Sequence, residues 1–147
     1  MASWAEVEAA EPDFARKVRA LFDAHKHKTM ATIRRDGSPR ISGTEMEFSD
    51  GVVFVGMMPT SVKFADLQRD ARVAFHSGSE DPPQDDPSSW TGDAKIAGRA
   101  IEVPEEKFKR FRIDINEVVL IRVGRPADHL VVESWHPVRG LVRRERR

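Results

Sequence analysis

Lys63 stands where a lysine calls for explanation. It follows Pro59 and the hydroxyl pair Thr60-Ser61, one turn into a segment that reads as the start of a helix. Helix N-termini carry unpaired amide N–H groups and positive partial charge, so a cation there needs an anion or a structural partner. A hydroxyl cap, open amides and an ammonium group together make a cradle for phosphate. The plainer account is that Thr60 or Ser61 caps the helix and Asp66 balances Lys63. The phosphate reading rests on the whole segment from Thr29 to Phe75, in which strands and turns feed this helix end. Arg40, just after Pro39 on a strand, is a second cation that could point to a ligand. Arg34 and Arg35 flank a turn and read as solvated.

Other groups offer less chemistry. Glu45 and Glu47 share one strand face, and paired carboxylates can do acid–base work. On a barrel exterior they read as solvent-facing residues, or as partners for arginine at a subunit interface. The histidines at 25, 27, 76, 129 and 136 show no metal-ligand spacing, so no metal site is assigned. His25-x-His27 is explained by a helix C-terminus that favours positive charge. Without cysteine, disulfides, thiolate catalysis and Cys-based zinc sites are excluded. No triad or acid–base pair emerges, and no catalytic residue is assigned.

The elements that position these groups follow from periodicity. Residues 1–11 read as a flexible leader, anchored if at all by Trp4. Pro12 can open a helix, and Phe14, Val18, Leu21 and Phe22 give it one apolar face ending near residues 25–28. Met30–Ile33 reads as a strand, and Asp36-Gly37 as a two-residue hairpin turn. Ile41–Phe48 alternates as one strand. Val52–Met57 is an apolar run expected to be buried on both faces. In the helix after Thr60-Ser61, Val62, Ala65 and Leu67 would face the core, and Asp66, Arg69 and Asp70 water. Ala71–Phe75 is a further strand. Residues 78–92 form a long loop with Pro82, Pro83 and Pro87, in which Trp90 serves as an anchor or a lid. Asp93–Val103 returns to strand. Pro104-Glu105-Glu106 should open a short helix containing Phe108 and Phe111. Residues 117–123 and 129–134 give the last strands across a Gly124-Arg125-Pro126 turn. Phe14, Phe22, Phe54, Phe75, Phe108 and Phe111 are expected in the core. Six or seven strands with two or three short helices predict a mainly β fold, an antiparallel closed or split barrel, because closure removes exposed edges.

The 147 residues fit one domain, with 24 basic and 24 acidic side chains in balance. Zero formal charge argues against bulk capture of nucleic acid or membrane, and residues 141–147 read as a solvated basic tail. No apolar run approaches the ~18 residues of a membrane span. A cytoplasmic protein is the expectation.

The ordered set Ala31-Thr32-x-x-x-Asp36-Gly37-x-Pro39-Arg40, Ser61-x-Lys63 and Asp70-x-Arg72-Val73-Ala74 resembles the pyridoxamine 5′-phosphate oxidase-like, flavin-binding split barrels. The closing Glu133-Ser134-Trp135-His136-Pro137-x-Arg139-Gly140 resembles actinobacterial members, including the deazaflavin (coenzyme F420) branch. The likeness covers residues 12–140. It implies an FMN-type cofactor, with F420 as the alternative, held at the interface of a homodimer. It implies that Lys63 and Ser61 meet the cofactor phosphate. Thr32 and Thr44 would meet the ring or ribityl chain, and Trp135 and Arg139 would approach from the partner subunit. The chain departs from the oxidases at Gly56-Met57-Met58-Pro59, where they are richer in basic residues. It also lacks their C-terminal substrate-phosphate signature, so oxidase activity on pyridoxamine phosphate is not carried over.

The function expected from residues and resemblance together is an FMN-dependent oxidoreductase acting on a small molecule. An F420-dependent reductase is the near alternative. A non-catalytic protein that binds or sequesters flavin or haem is the alternative of another class, and a barrel without cofactor is a third.

Overall fold

The computed structural model describes residues 1–104 and 109–147. Two helices lead, α1 (Trp4–Ala10) and α2 (Pro12–Asp23). Then come β1 (Lys28–Ile33), β2 (Pro39–Thr44), β3 (Met46–Ser49), β4 (Val52–Met57), α3 (Val62–Arg69) and β5 (Arg72–His76). A long loop with one 3-10 turn at Pro87–Ser89 leads to β6 (Asp93–Val103), β7 (Lys109–Val123), β8 (Leu130–His136) and β9 (Gly140–Arg146).

All described pairings are antiparallel, and the strands run in the order β2-β1-β5-β6-β7-β4-β3. The sheet is split at β7. One edge of this 15-residue strand pairs along β6. Its other edge is divided: residues from Lys109 to Arg112 pair with β4, and those from Val118 to Val123 pair with β8. β9 extends the branch by pairing with β8. The sheet does not close, since β2 and β3 end the main path. The expected mainly β split barrel is thus the observed fold.

The core lies between the sheet and α2. Phe14, Val18, Leu21 and Phe22 are buried as the spacing predicts, against Met30, Ile96, Phe111, Ile113 and Ile115. Fully burying such a side chain contributes about 1.5–3 kcal/mol, which outweighs the modest helix propensity of a 12-residue segment.

Several expectations are corrected. The N-terminal decade does not fray. Ser3 and Glu6 form a reciprocal capping box, Trp4 and Val7 are buried, and Ala2 exchanges backbone bonds with Ile115 at 2.9 and 2.7 Å. The basic segment 141–147 is not a tail but mostly β9, paired residue by residue with β8. The hairpin after β1 is longer than two residues, because Arg34 N–H donates to Ser38 O and Gly37 takes a φ of +86°. That is a turn followed by a left-handed glycine. The single strand foreseen over 41–48 breaks at Glu45 into β2 and β3. β4 is buried on one face only, through Val53, Val55 and Met57. In α3 the apolar face is Phe64 and Leu67. Val62 and Ala65 are exposed, and Asp66 is buried. The helix expected from Pro104 falls largely on residues 105–108, outside the described residues, while Phe111 lies in β7.

Candidate functional site

The break at Glu45 and the end of β4 open a groove beside the N-terminus of α3. Pro59 ends the strand, and Ser61 then caps the helix, accepting from Phe64 N–H at 3.3 Å. The next amides, Val62 and Lys63, have no intrahelical acceptor. Lys63 folds back across the groove, and its Nζ donates to Gly43 O at 2.8 Å. An ammonium has three donors, so this bond fixes its position and leaves others to spend.

Two adjoining pockets share Glu45, Gly56, Met57 and Met58. The first, of about 340 Å³, adds Ser61, Lys63, Gly43, Thr44 and His27. The second, of about 580 Å³, adds Met46, Glu47, Phe54 and Arg110. Arg110 lies over the Phe54 ring at 3.7 Å and reaches Glu47 at 3.7 Å. One end of the groove is therefore cationic and hydroxyl-bearing, and the other is flanked by aromatic and thioether surface. Such a groove suits a ligand with an anionic end and a planar body.

Of the seven residues expected in a site, Lys63, Ser61 and Thr44 meet here. Thr44 is buried, and its hydroxyl donates to Glu45 O at 3.3 Å. Thr32 and Arg40 come together elsewhere, on Asp66. The buried Asp66 carboxylate accepts from Thr32 Oγ1 at 2.7 Å, Arg40 Nε at 2.7 Å and Arg69 Nη2 at 3.0 Å. Burial alone would raise the Asp66 pKa, but these donors outweigh it and hold the carboxyl below its usual value. The cluster clasps α3 to β1 and β2, and so sets where Ser61 and Lys63 stand. Trp135 is buried in the core of its own chain. Arg139 sits in the β8–β9 turn and donates to Ser134 O and Oγ at 2.8 Å each. Neither lines the groove formed within one chain.

The lining also includes residues not expected in a site, among them His27, Phe54 and Arg110. His27 was read as a helix end, Phe54 as core, and Arg110 was not singled out. The helix stops at Asp23 and releases His27 toward the groove, while the one-sided burial of β4 turns Phe54 outward. Strict alternation from Val53 and Val55 would have found Phe54. Trp90 is the anchor: its Nε1 donates to Glu80 O at 2.6 Å within the long loop.

No family model matches the chain, and no curated protein matches it. Solved structures do. A pyridoxamine 5′-phosphate oxidase-related, FMN-binding protein from Nostoc punctiforme superposes with a TM-score of 0.65 at 11% identity, over 100% of this chain and 98% of that one. PhzG from Burkholderia lata, solved in complex with tetrahydrophenazine-1-carboxylic acid, gives 0.63 at 12% identity, over 95% and 88%. A conserved hypothetical protein from Mycobacterium tuberculosis gives 0.59 at 19% identity, over 70% and 81%. The chain has the split-barrel fold of these proteins, and the resemblance read from its motifs is supported at the level of fold.

Proposed function

We propose that this split barrel binds a flavin-type cofactor, FMN in the first place, and acts as an oxidoreductase on a small molecule. The observation that carries the reading is the groove itself. Ser61, Lys63 and the first amides of α3 suit a phosphate, and the contiguous lobe at Phe54, Met57 and Met58 suits a planar ring. The FMN-binding neighbour supports the same cofactor class. When bound, the flavin supplies hydride transfer to or from the substrate. The chain's part is to hold and orient. Lys63 neutralises the anionic end, and Phe54 and the methionines exclude water from one side. No protein base is required for that role; Glu45 and Glu47 at the groove face Lys26 at 3.5 Å and Arg110 at 3.7 Å.

The groove is open, and the reading includes a homodimer in which a second chain closes it. Ile41, Met58 and Val62 are exposed apolar residues on the elements that border it, at 76%, 56% and 59% exposure.

The test is a titration of purified protein with FMN and, separately, F420, followed by fluorescence and thermal shift. Saturable FMN binding with reductant-dependent turnover is expected. FMN binding without turnover under any reductant would favour the non-catalytic carrier. Binding of F420 alone would move the protein to deazaflavin chemistry, and binding of neither would end the flavin reading.

A further inference from the structure

A second cleft lies at the far end of β7. The groove meets this strand at Arg110, whereas the second cleft meets it from Arg122 through the turn at Arg125 and Pro126. The two are separated by roughly 40 Å of strand at ~3.3 Å per residue. The cleft has a volume of about 420 Å³ and is walled by Ser88, His129, Val131 and four arginines, Arg122, Arg125, Arg143 and Arg147, against one carboxylate, Glu145.

The arginines hold back their hydrogen-bonding capacity. Arg122 approaches Glu133 only to 3.9 Å, Arg125 approaches Asp86 to 3.6 Å, and Arg147 lies 3.4 Å from Asp128 and 3.6 Å from Glu145. Arg143 makes no ion pair among the described residues. Spent guanidinium groups in this chain look different: Arg40–Asp66 and Arg72–Asp70 close to 2.7 Å. Charge-assisted N–H···O bonds lie near 2.7–2.9 Å, so the flanking carboxylates keep the arginines in place without saturating them.

The wall behind them is built. Ser88 Oγ donates to Gly124 O at 2.5 Å and ties the long loop to the β7–β8 turn. The His129 side chain is 7% exposed, with Nδ1 2.7 Å from Asp128 and Nε2 3.7 Å from Glu145. It packs so closely on Gly124 that a Cβ there would run into the imidazole.

We propose that this cleft is an anion site for a small molecule carrying a diphosphate or polyphosphate group. Planar guanidinium forks match phosphate oxygens in pairs. Arg143 has no ion pair among the described residues, and Arg122, Arg125 and Arg147 are held only loosely by Glu133, Asp86, Asp128 and Glu145, so the cleft offers more guanidinium forks than a monocarboxylate ligand could engage. The volume exceeds what one inorganic phosphate would fill.

Calorimetric titration of the full chain with inorganic pyrophosphate at low ionic strength tests it, with inorganic phosphate and succinate as parallel arms. Saturable pyrophosphate binding is expected, tighter than either comparison anion. It should weaken at least about tenfold in Arg125→Gln/Arg143→Gln, consistent with the loss of charge-assisted bonds, and stay unchanged in Lys63→Ala. Both replaced side chains are exposed, so an unchanged thermal melt is expected. Should the double variant melt early, Arg143→Lys keeps the charge, loses the fork and should give an intermediate affinity. Absence of pyrophosphate binding, equal binding of succinate, or loss in Lys63→Ala instead of the arginine variant would each overturn the proposal. FMN binding by Arg125→Gln/Arg143→Gln should match the unaltered chain, which separates this outcome from that of the flavin site.

Discussion

At the scale of the residue, Lys63 and Asp66 divide one task. Lys63 is the cation in the groove, and Asp66 fixes the helix that presents it. Lys63→Ala should weaken FMN binding by about 1.5–3 kcal/mol, the range for a hydrogen bond to a charged group. The thermal melt without ligand should hardly move, because Lys63 makes one exposed contact to Gly43 O. Fluorescence titration beside a melting curve checks both halves, and unchanged affinity would remove Lys63 from the site. Asp66→Asn should do the reverse and lower stability. The loss should fall below the ~3–5 kcal/mol of a fully buried broken pair, since Arg40 and Arg69 remain partly exposed at 24% and 31%. Asp66 also predicts an acid response. Its folded pKa is depressed, so its stabilisation is complete above the unfolded value near 3.9 and is lost as pH falls through the folded one. Melting temperature should therefore drop below about pH 4, and the drop should be shallower in Asp66→Asn. The sequence made Lys63 legible through its neighbours Thr60 and Ser61. It hid Asp66, because a carboxylate on a polar helix face is ordinarily solvated. Only the fold brings Thr32, Arg40 and Arg69 onto it.

At the scale of the element, the N-terminal helix is the sharpest departure from expectation, and the reason is local. Ser3-x-x-Glu6 is a capping-box signature, but a seven-residue helix has too few turns to show a period, so the segment reads as a leader. Trp4 then packs edge-on to Phe48 with ring centroids 4.9 Å apart. Trp4→Ala should destabilise by about 3–5 kcal/mol, a fall in Tm of roughly 10 °C for a domain of this size. A fall of only a degree or two would show that the helix frays after all. α2 was legible because 12 residues carry a full apolar stripe. β9 was not, since its exposed Arg143, Arg144, Glu145 and Arg146 give no alternation. Its partner strand, not its own side chains, makes it a strand. The groove follows the same division. The helix cap was readable from sequence and Phe54 from alternation along β4, whereas the reach of Arg110 depends on which strand β4 pairs with.

At the scale of the whole molecule, the open sheet and the open groove ask for the same completion. β2 ends the main path of the sheet and carries Ile41, which is 76% exposed, and the groove beside it is bordered by Met58 and Val62. Single exposed apolar side chains are ordinary. Three of them on adjoining elements around a groove that holds the proposed phosphate cradle fit a surface that a second copy covers. A flavin ring gripped from one side only would stay in contact with water, and exclusion of water is part of what the protein supplies to such chemistry. Assembly and cofactor affinity should therefore be linked, because a ligand that binds only the complete site stabilises the dimer by mass action. Light scattering after gel filtration should give about twice the chain mass of 16.6 kDa. Ile41→Glu/Val62→Glu should shift the protein toward monomer with little change in the melt of the isolated chain, as both side chains are exposed. FMN affinity should fall with the dimer fraction and recover as protein concentration is raised. A monomer that binds FMN tightly at every concentration would show that one chain completes the site unaided. The role expected of Arg139 from a partner subunit would then be withdrawn, as burial in its own core already excludes it for Trp135.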